Sequence, residues 1–356
     1  MSSNFQLNRL PETKHPSLTA WNAADELMVT YLPNEADCVA IYNDAFGYLS
    51  CHLSPHQPTV ITDLKSQEKA IETNLTENNL HAENVTFGNL LEALDKKQDI
   101  AYLKVPKSIS LFELYLQHIH VNLKEGGKVV CGFMTKYFTT GILDIANKYF
   151  DTVEQSKAKK KARLLFLKDK KEITATEKID QFNYHGMKIQ QYKGVFSAGK
   201  IDKATQFLLS EIKPPQNHSF VLDMACGNGI IGRWIMEKYT VNTMHFMDDS
   251  YLAMASAELN IEAKNTYFHH DFQLSDIDDY SLDWVVTNPP FHFGNTIDTS
   301  IPIGLFKAAH QKLKSGGVLT IVANSNLGYE GFLKSYFKTV KIRSSNRQFK
   351  IFECTR

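Results

Sequence analysis

The residues best suited to chemistry lie in one stretch, WVVTNPPFHF at residues 284–293. Residues 284–287 are apolar or β-branched and predict a buried strand, and Asn288-Pro289-Pro290-Phe291 follow without a break. Two successive prolines have no N–H to donate and cannot continue a central strand, so the chain must leave the sheet there in a stiff, extended turn. The amide oxygen of Asn288 and the carbonyl of Pro289 then stand as acceptors at the carboxyl edge of a sheet, beside the flat ring of Phe291. Acceptors converging next to an aromatic plane suit the holding of a planar amino group while it attacks or is attacked. Standing alone, such a tetrapeptide is more often only a strand cap.

It does not stand alone. The run Asp223-Met224-Ala225-Cys226-Gly227-Asn228-Gly229 falls between a predicted strand and a predicted helix, where glycines let a ligand approach the backbone and the helix N-terminus faces it. Asp248, about 20 residues on and at the end of the next predicted strand, is placed to accept hydrogen bonds from ribose hydroxyls. Asp271 follows the strand after that and is expected to take an adenine amino group. The loop lacks Gly-x-Gly-x-x-Gly, which argues against a nicotinamide enzyme. His269, His270 and Asp271 are adjacent on an extended segment and point to alternate sides, so they are not expected to share a metal ion. Cys226 reads as a small residue packing the loop rather than as a nucleophile.

The elements that must position these groups alternate between strand and helix, which implies a parallel sheet wound on both faces. In the first half, strands are expected at residues 38–42, 59–62, 100–105 and 128–133, with a helix over residues 21–32 and helices between the strands. The second half repeats the pattern with strands at residues 220–224, 244–247, 284–287 and 318–322, and a helix over residues 202–212. Matching Gly47 with Gly227, Asp63 with Asp248, Pro106 with Pro290 and Gly127 with Gly317 suggests an internal duplication. The basic run at residues 157–171 reads as a solvated edge or hairpin. A polar stretch near residues 172–180 reads as the linker, so domains are expected at residues 1–178 and 179–356.

Length and composition agree with two globular domains: 356 residues can bury two cores, and the apolar content is ordinary. The formal net charge is zero, so any contact with nucleic acid must use local patches rather than a global basic field. Five scattered cysteines without a Cys-x-x-Cys pair argue for reduced thiols in a cytoplasmic protein and against a zinc site or a disulfide framework. Residues 1–16 are polar, so no signal peptide is expected, and no apolar run approaches membrane-spanning length.

Taken together, the loop, the two acidic residues and the Asn-Pro-Pro-Phe turn resemble class I S-adenosylmethionine-dependent methyltransferases. The second half is similar to the bacterial ribosomal RNA guanine-N2 methyltransferases, on the strength of residues 288–292 (NPPFH) and of Gly194-Val195-Phe196-Ser197, which looks like that family's lead-in to the cofactor domain. The segments 20–26 (AWNAADE), 43–47 (NDAFG), 104–107 (KVPK) and 160–164 (KKARL) narrow the resemblance to the branch acting on 23S ribosomal RNA.

The resemblance implies two tandem Rossmann-like domains, the first degenerate, and S-adenosyl-L-methionine as methyl donor with S-adenosyl-L-homocysteine as product. It implies amine binding at Asn288, Pro289, Pro290 and Phe291, and cofactor binding at Phe196, Asp223, Ala225, Gly227, Gly229, Asp248, Asp271 and Asn288. One departure is Ala225, where the family usually has Gly; alanine fits there if φ is negative. The first copy carries bulky Phe46 in its loop and cations in place of the amine acceptors. We therefore expect it to dock ribosomal RNA through Lys104, Lys107, Lys159, Lys160, Lys161 and Arg163, in a monomer without metal. The alternatives are a small-subunit (16S) guanine-N2 enzyme, a protein glutamine or DNA adenine methyltransferase, which typically has Tyr in place of Phe291, and an inactive RNA-binding scaffold.

Overall fold

The computed structural model describes residues 5–11, 18–34, 37–173, 177–197, 199–290, 292–293, 296–297 and 300–356. The chain divides into two compact units, Met1–Lys178 and Ile179–Arg356. Among the described residues no helix is long and apolar enough to cross a membrane.

The first unit is built on seven strands: β1 (Val39–Tyr42), β2 (Thr59–Ile61), β3 (Thr86–Gly88), β4 (Gln98–Lys104), β5 (Leu123–Met134), β6 (Phe150–Gln155) and β7 (Ala162–Lys170). They lie in the order β3-β2-β1-β4-β5-β7-β6, parallel except for β7, which is antiparallel to both its neighbours. Continuous apolar runs such as VAIY in β1 are buried throughout, as a sheet covered on both faces requires. The basic run is a hairpin and not an edge: it forms the turn after β6 and the strand β7, which lies inside the sheet with Leu164, Leu165 and Leu167 fully buried, and β6 is the edge strand. The first helix is shorter than the periodicity predicts, Ala23–Met28, because Asn22 caps it and Pro33 follows closely.

The second unit opens with a hairpin, β8 (Ile179–Tyr184) and β9 (Met187–Tyr192). Its main sheet contains β10 (Phe220–Met224), β11 (Thr243–Asp248), β12 (Thr266–His270) and β13 (Leu282–Thr287). After the short strands β14 (His292–Phe293) and β15 (Thr296–Ile297) come β16 (Leu313–Asn324), β17 (Thr339–Ser345) and β18 (Phe349–Thr355). The order β12-β11-β10-β13-β16-β18-β17 repeats the first sheet strand for strand. β13 is buried along its whole length; Trp284 and Val286 pack into the core on one face, Leu282 and Val285 into the core on the other. The indole N–H of Trp284 donates to Thr320 Oγ1 at 2.9 Å, which satisfies its one polar atom. Sequence periodicity misses β17 and β18, whose alternating polar residues fit a hairpin closing the sheet.

The repeat reaches single hydrogen bonds. Asn74 accepts from Asn8 N–H at 2.8 Å and donates to the carbonyls of Asn8 and Phe46. Asn260 does the same with Gln190 N–H and the carbonyls of Gln190 and Asn228. These equivalences correct two of the expected pairings. Gly47 (φ 84°) and Gly229 (φ 76°) each precede the first turn of a helix, so Gly47 matches Gly229 and not Gly227. Counting back from the helix caps Leu64 and Ser250, Asp248 matches Thr62 and not Asp63, and the strand register agrees.

Candidate active site

In an open parallel sheet the ligand crevice lies outside the carboxyl ends of the strands, where the strand order reverses. In the second unit that point falls between β10 and β13. The chain leaving β10 turns through Ala225 (φ 57°), Gly227 (φ 56°) and Gly229 (φ 76°) before entering the helix Ile230–Lys238. A Cβ on Gly227 would meet nothing within 4 Å, so that side of the loop is open to a ligand. A Cβ on Gly229 would stand 3.1 Å from Ala257 Cβ, so this glycine serves packing. Ala225 does not have the negative φ expected of it: it occupies the left-handed region, and its counterpart after β1 is Asn43 (φ 61°), a residue that tolerates that region better.

Acidic side chains organise the loop. Asp248, the last residue of β11, accepts Gly227 N–H on Oδ2 and Ser250 N–H on Oδ1, each at 2.9 Å, and remains partly exposed. Asp223 is fully buried; Oδ2 accepts Gly232 N–H at 2.8 Å while Oδ1 has no partner. Burial pushes its carboxyl pKa up to about 8, against the Gly232 hydrogen bond that lowers it, and the nearby charge of Asp248 raises it further. Asp223 exposes no surface and holds the start of the helix through Gly232 N–H. Asp271 is also turned inward, accepting the N–H groups of Phe272 and Gln273 on Oδ1 and that of Ser275 on Oδ2. Its carboxylate is engaged in holding the turn after β12, with one bond on Oδ2. Cys226 is buried against Met254, and burial raises its thiol pKa well above the ordinary range, so it is no nucleophile. His269 faces His245 at 3.0 Å and His270 meets the Asp249 carbonyl at 2.9 Å, so the two have separate partners.

β13 delivers Asn288 to the other side of the crevice. Its Nδ2 lies 3.0 Å from Thr205 Oγ1 and 3.3 Å from Asp202 Oδ2. Pro289 is buried and Pro290 exposed; Phe291 lies outside the described residues. Asp202 caps the helix Lys203–Glu211, and Thr205 is its third residue. Sequence reasoning singles out neither, although Asp ahead of a helix is a legible cap; their reach to Asn288, more than 80 residues away, is not legible. Phe196 is 63% exposed.

The first unit shows what the same corner becomes without these groups. Register places Lys104 at the position of Asn288 and Asp25 at that of Thr205, and Lys104 Nζ pairs with Asp25 Oδ1. Asp25 is 5% exposed, so Lys104 is drawn inward and is removed from the expected RNA contacts. Thr62 stands where the second unit has Asp248, and Phe46 is buried in the loop under the Arg9 guanidinium. Lys160 pairs with Glu26 at 2.8 Å, and Arg163 bonds Gln155 at 3.3 Å. Lys160 and Lys161 form a two-residue hairpin turn, closed by reciprocal hydrogen bonds between Lys159 and Ala162. Both central lysines are left-handed (φ 48° and 62°), where Asn-Gly is the usual choice. Lys107 approaches the Tyr137 ring together with Lys136, and burial and that second ammonium lower its pKa.

Residues 1–171 match the family described as RLMG N-terminal domain, and residues 186–353 match the methyltransferase small domain. The chain is 32% identical to ribosomal RNA large subunit methyltransferase G of Psychromonas ingrahamii, covering 98% of this chain and 96% of that protein. It is 33% identical to the protein of that name from Shewanella sp. (strain MR-4), covering 99% and 97%. Among solved structures it is similar to the T. thermophilus 16S rRNA N2 G1207 methyltransferase in complex with AdoMet and guanosine, with a TM-score of 0.79. The two are 19% identical over 94% of this chain and 92% of that one, so the likeness concerns fold: tandem class I methyltransferase domains.

Proposed function

The chain belongs to the ribosomal RNA large subunit methyltransferase G family, and from that premise we propose that it methylates the exocyclic N2 amine of a guanine in 23S ribosomal RNA. S-adenosylmethionine supplies the methyl group as a sulfonium, so no metal or covalent enzyme intermediate is required. The second unit fits this cofactor: the open side of Gly227 admits it, Asp248 offers carboxylate lone pairs to ribose hydroxyls, and the acidic surroundings suit a cation. Asp271 and Phe196 stay as candidate contacts to the adenine and to the rim, with Asp223, Ala225 and Gly229 shaping the loop.

The observation that carries the choice of an amine is Asn288. With Nδ2 held by Asp202 and Thr205, its Oδ1 is left to accept from a donor in the crevice. Guanine N2 is a poor nucleophile because its lone pair is delocalised into the ring. Acceptors at Asn288 Oδ1 and the Pro289 carbonyl bind its two hydrogens and favour the pyramidal nitrogen of the transition state over the flat ground state. N2 gains the methyl and loses one proton to solvent. A paired base cannot enter such a corner, so the guanine is single-stranded or flipped, with Phe291 as its stacking partner and Pro290 stiffening the turn. The first unit docks the RNA through Lys107, Lys159, Lys161 and the outward parts of Lys160 and Arg163.

The test is incubation of 23S and 16S ribosomal RNA with labelled cofactor and mapping of the modified base. Label at N2 of one guanine in 23S RNA is expected. Label confined to 16S RNA would favour the small-subunit alternative, and label on another atom would remove the amine assignment. Cofactor binding without any transfer to RNA would favour the inactive scaffold.

A further inference from the structure

We propose that Asp202 and Thr205 are positioning residues that dictate which end of the Asn288 amide meets the substrate. The inference rests on the reading of Asn288 as the amine acceptor. An asparagine side chain offers an acceptor at one end and two donors at the other, and its shape alone does not choose between them. The partners choose. Asp202 Oδ2 already accepts the N–H groups of Ala204 at 2.8 Å and Thr205 at 3.2 Å, as a helix cap must. A carboxylate presents only acceptors, so the atom of Asn288 that lies 3.3 Å from it is the NH2 group. The Thr205 hydroxyl, 3.0 Å from the same nitrogen, takes its second hydrogen. Oδ1 is thereby turned away from the helix. Were the amide reversed, the crevice would present donors to an amine that also donates, and binding would fail.

The internal repeat supports this independently. In both units the residue at the carboxyl end of the fourth strand of the main sheet, Lys104 as the last of β4 and Asn288 as the first after β13, reaches the third residue of the capped helix. In both, the strand end donates and the helix accepts: Asn288 to Thr205 in one unit, Lys104 to Asp25 in the other. The fold fixes the contact and its polarity, and the residue at the strand end decides what remains. Asparagine keeps an oxygen for a ligand; lysine, which carries donors only, has no acceptor to offer.

The experiment measures single-turnover methylation of ribosomal RNA and cofactor affinity for Thr205→Val, Thr205→Ser, Asn288→Ala and the double variant Thr205→Val/Asn288→Ala. Thr205→Val keeps the shape and loses the hydroxyl. Its turnover should fall about ten- to a hundred-fold, the usual scale for loss of a group that orients a reacting one, with cofactor affinity within about twofold. Thr205→Ser should restore turnover to within about threefold. Added to Asn288→Ala, Thr205→Val should lower the rate no further, because its effect passes through the amide. If Thr205→Val does not fold, Asp202→Ser serves in its place, since serine still caps the helix but is too short to hold Asn288. Wild-type turnover in Thr205→Val or Asp202→Ser, or losses that multiply in the double variant, would overturn the proposal. Full activity of Asn288→Ala would instead remove the reading of Asn288 itself.

Discussion

The backbone N–H of Gly227 donates to Asp248 Oδ2 at 2.9 Å, tying the loop after β10 to the end of β11. One carboxylate thus shapes the open side of the loop, and in the function proposed above it also accepts from the ribose hydroxyls. Asp248→Ala should weaken S-adenosylmethionine binding by about 1.5–3 kcal/mol, the scale for hydrogen bonds to a charged group. Calorimetric titration of the folded variant checks it, and unchanged affinity would take Asp248 out of the cofactor site.

Ala225 sits at φ 57°, where an L side chain costs about 1–2 kcal/mol and glycine does not. Ala225→Gly relieves that strain and gives back part of the gain as unfolded-chain entropy. A net stabilisation of about 1 kcal/mol is expected in urea unfolding. A clear loss of stability would mean that the methyl group packs usefully.

The buried Asp223 carboxyl makes stability fall as pH rises. Its folded pKa, about 8, lies above the ordinary value near 4, so between those limits the folded state holds more protons than the unfolded one. That stabilisation is fully present below about pH 4 and is lost progressively up to about pH 8, with a slope of at most about 1.4 kcal/mol per pH unit. Asp223→Asn cannot titrate and should show a flatter profile across this window. Parallel curves for the two proteins would show that another group titrates.

Lysines of the first unit should separate into two kinds. Lys104→Met leaves Asp25 buried without its cation and should destabilise the first unit by about 3 kcal/mol, the low end of the cost of breaking a buried ion pair, since Asp25 still accepts Asn22 N–H. Its effect on RNA affinity, measured on the folded fraction, should be small. Replacing Lys107, Lys159 and Lys161 by Ala should instead lower RNA affinity and flatten the slope of log K against log salt, by about 0.7–0.9 for each phosphate that the variant no longer neutralises. Equal salt slopes for the triple variant and the parent protein would show that the patch is not the docking surface.

Much of this protein is legible in its sequence, because strands, caps and turns answer to near neighbours. The buried run at residues 284–287, the pair of prolines that must end it, the glycines between β10 and its helix, and the acid at the end of β11 all follow from local chemistry. Pro106 and Pro290, and Gly127 and Gly317, are also paired correctly from spacing alone.

What needed the tertiary structure were relations set by register and by long-range packing. A one-residue shift along a strand moves a side chain to the opposite face, so register and not spacing decides that Thr62 rather than Asp63 is the first unit's equivalent of Asp248. The left-handed turn at Ala225, the inward ion pair of Lys104 and the interior place of β7 each depend on neighbours remote in the chain or on a backbone angle that residue type does not specify. The orientation of the Asn288 amide is the clearest instance. Asparagine can face either way, and only Asp202 and Thr205, brought against it by the fold, decide that its NH2 points to the helix.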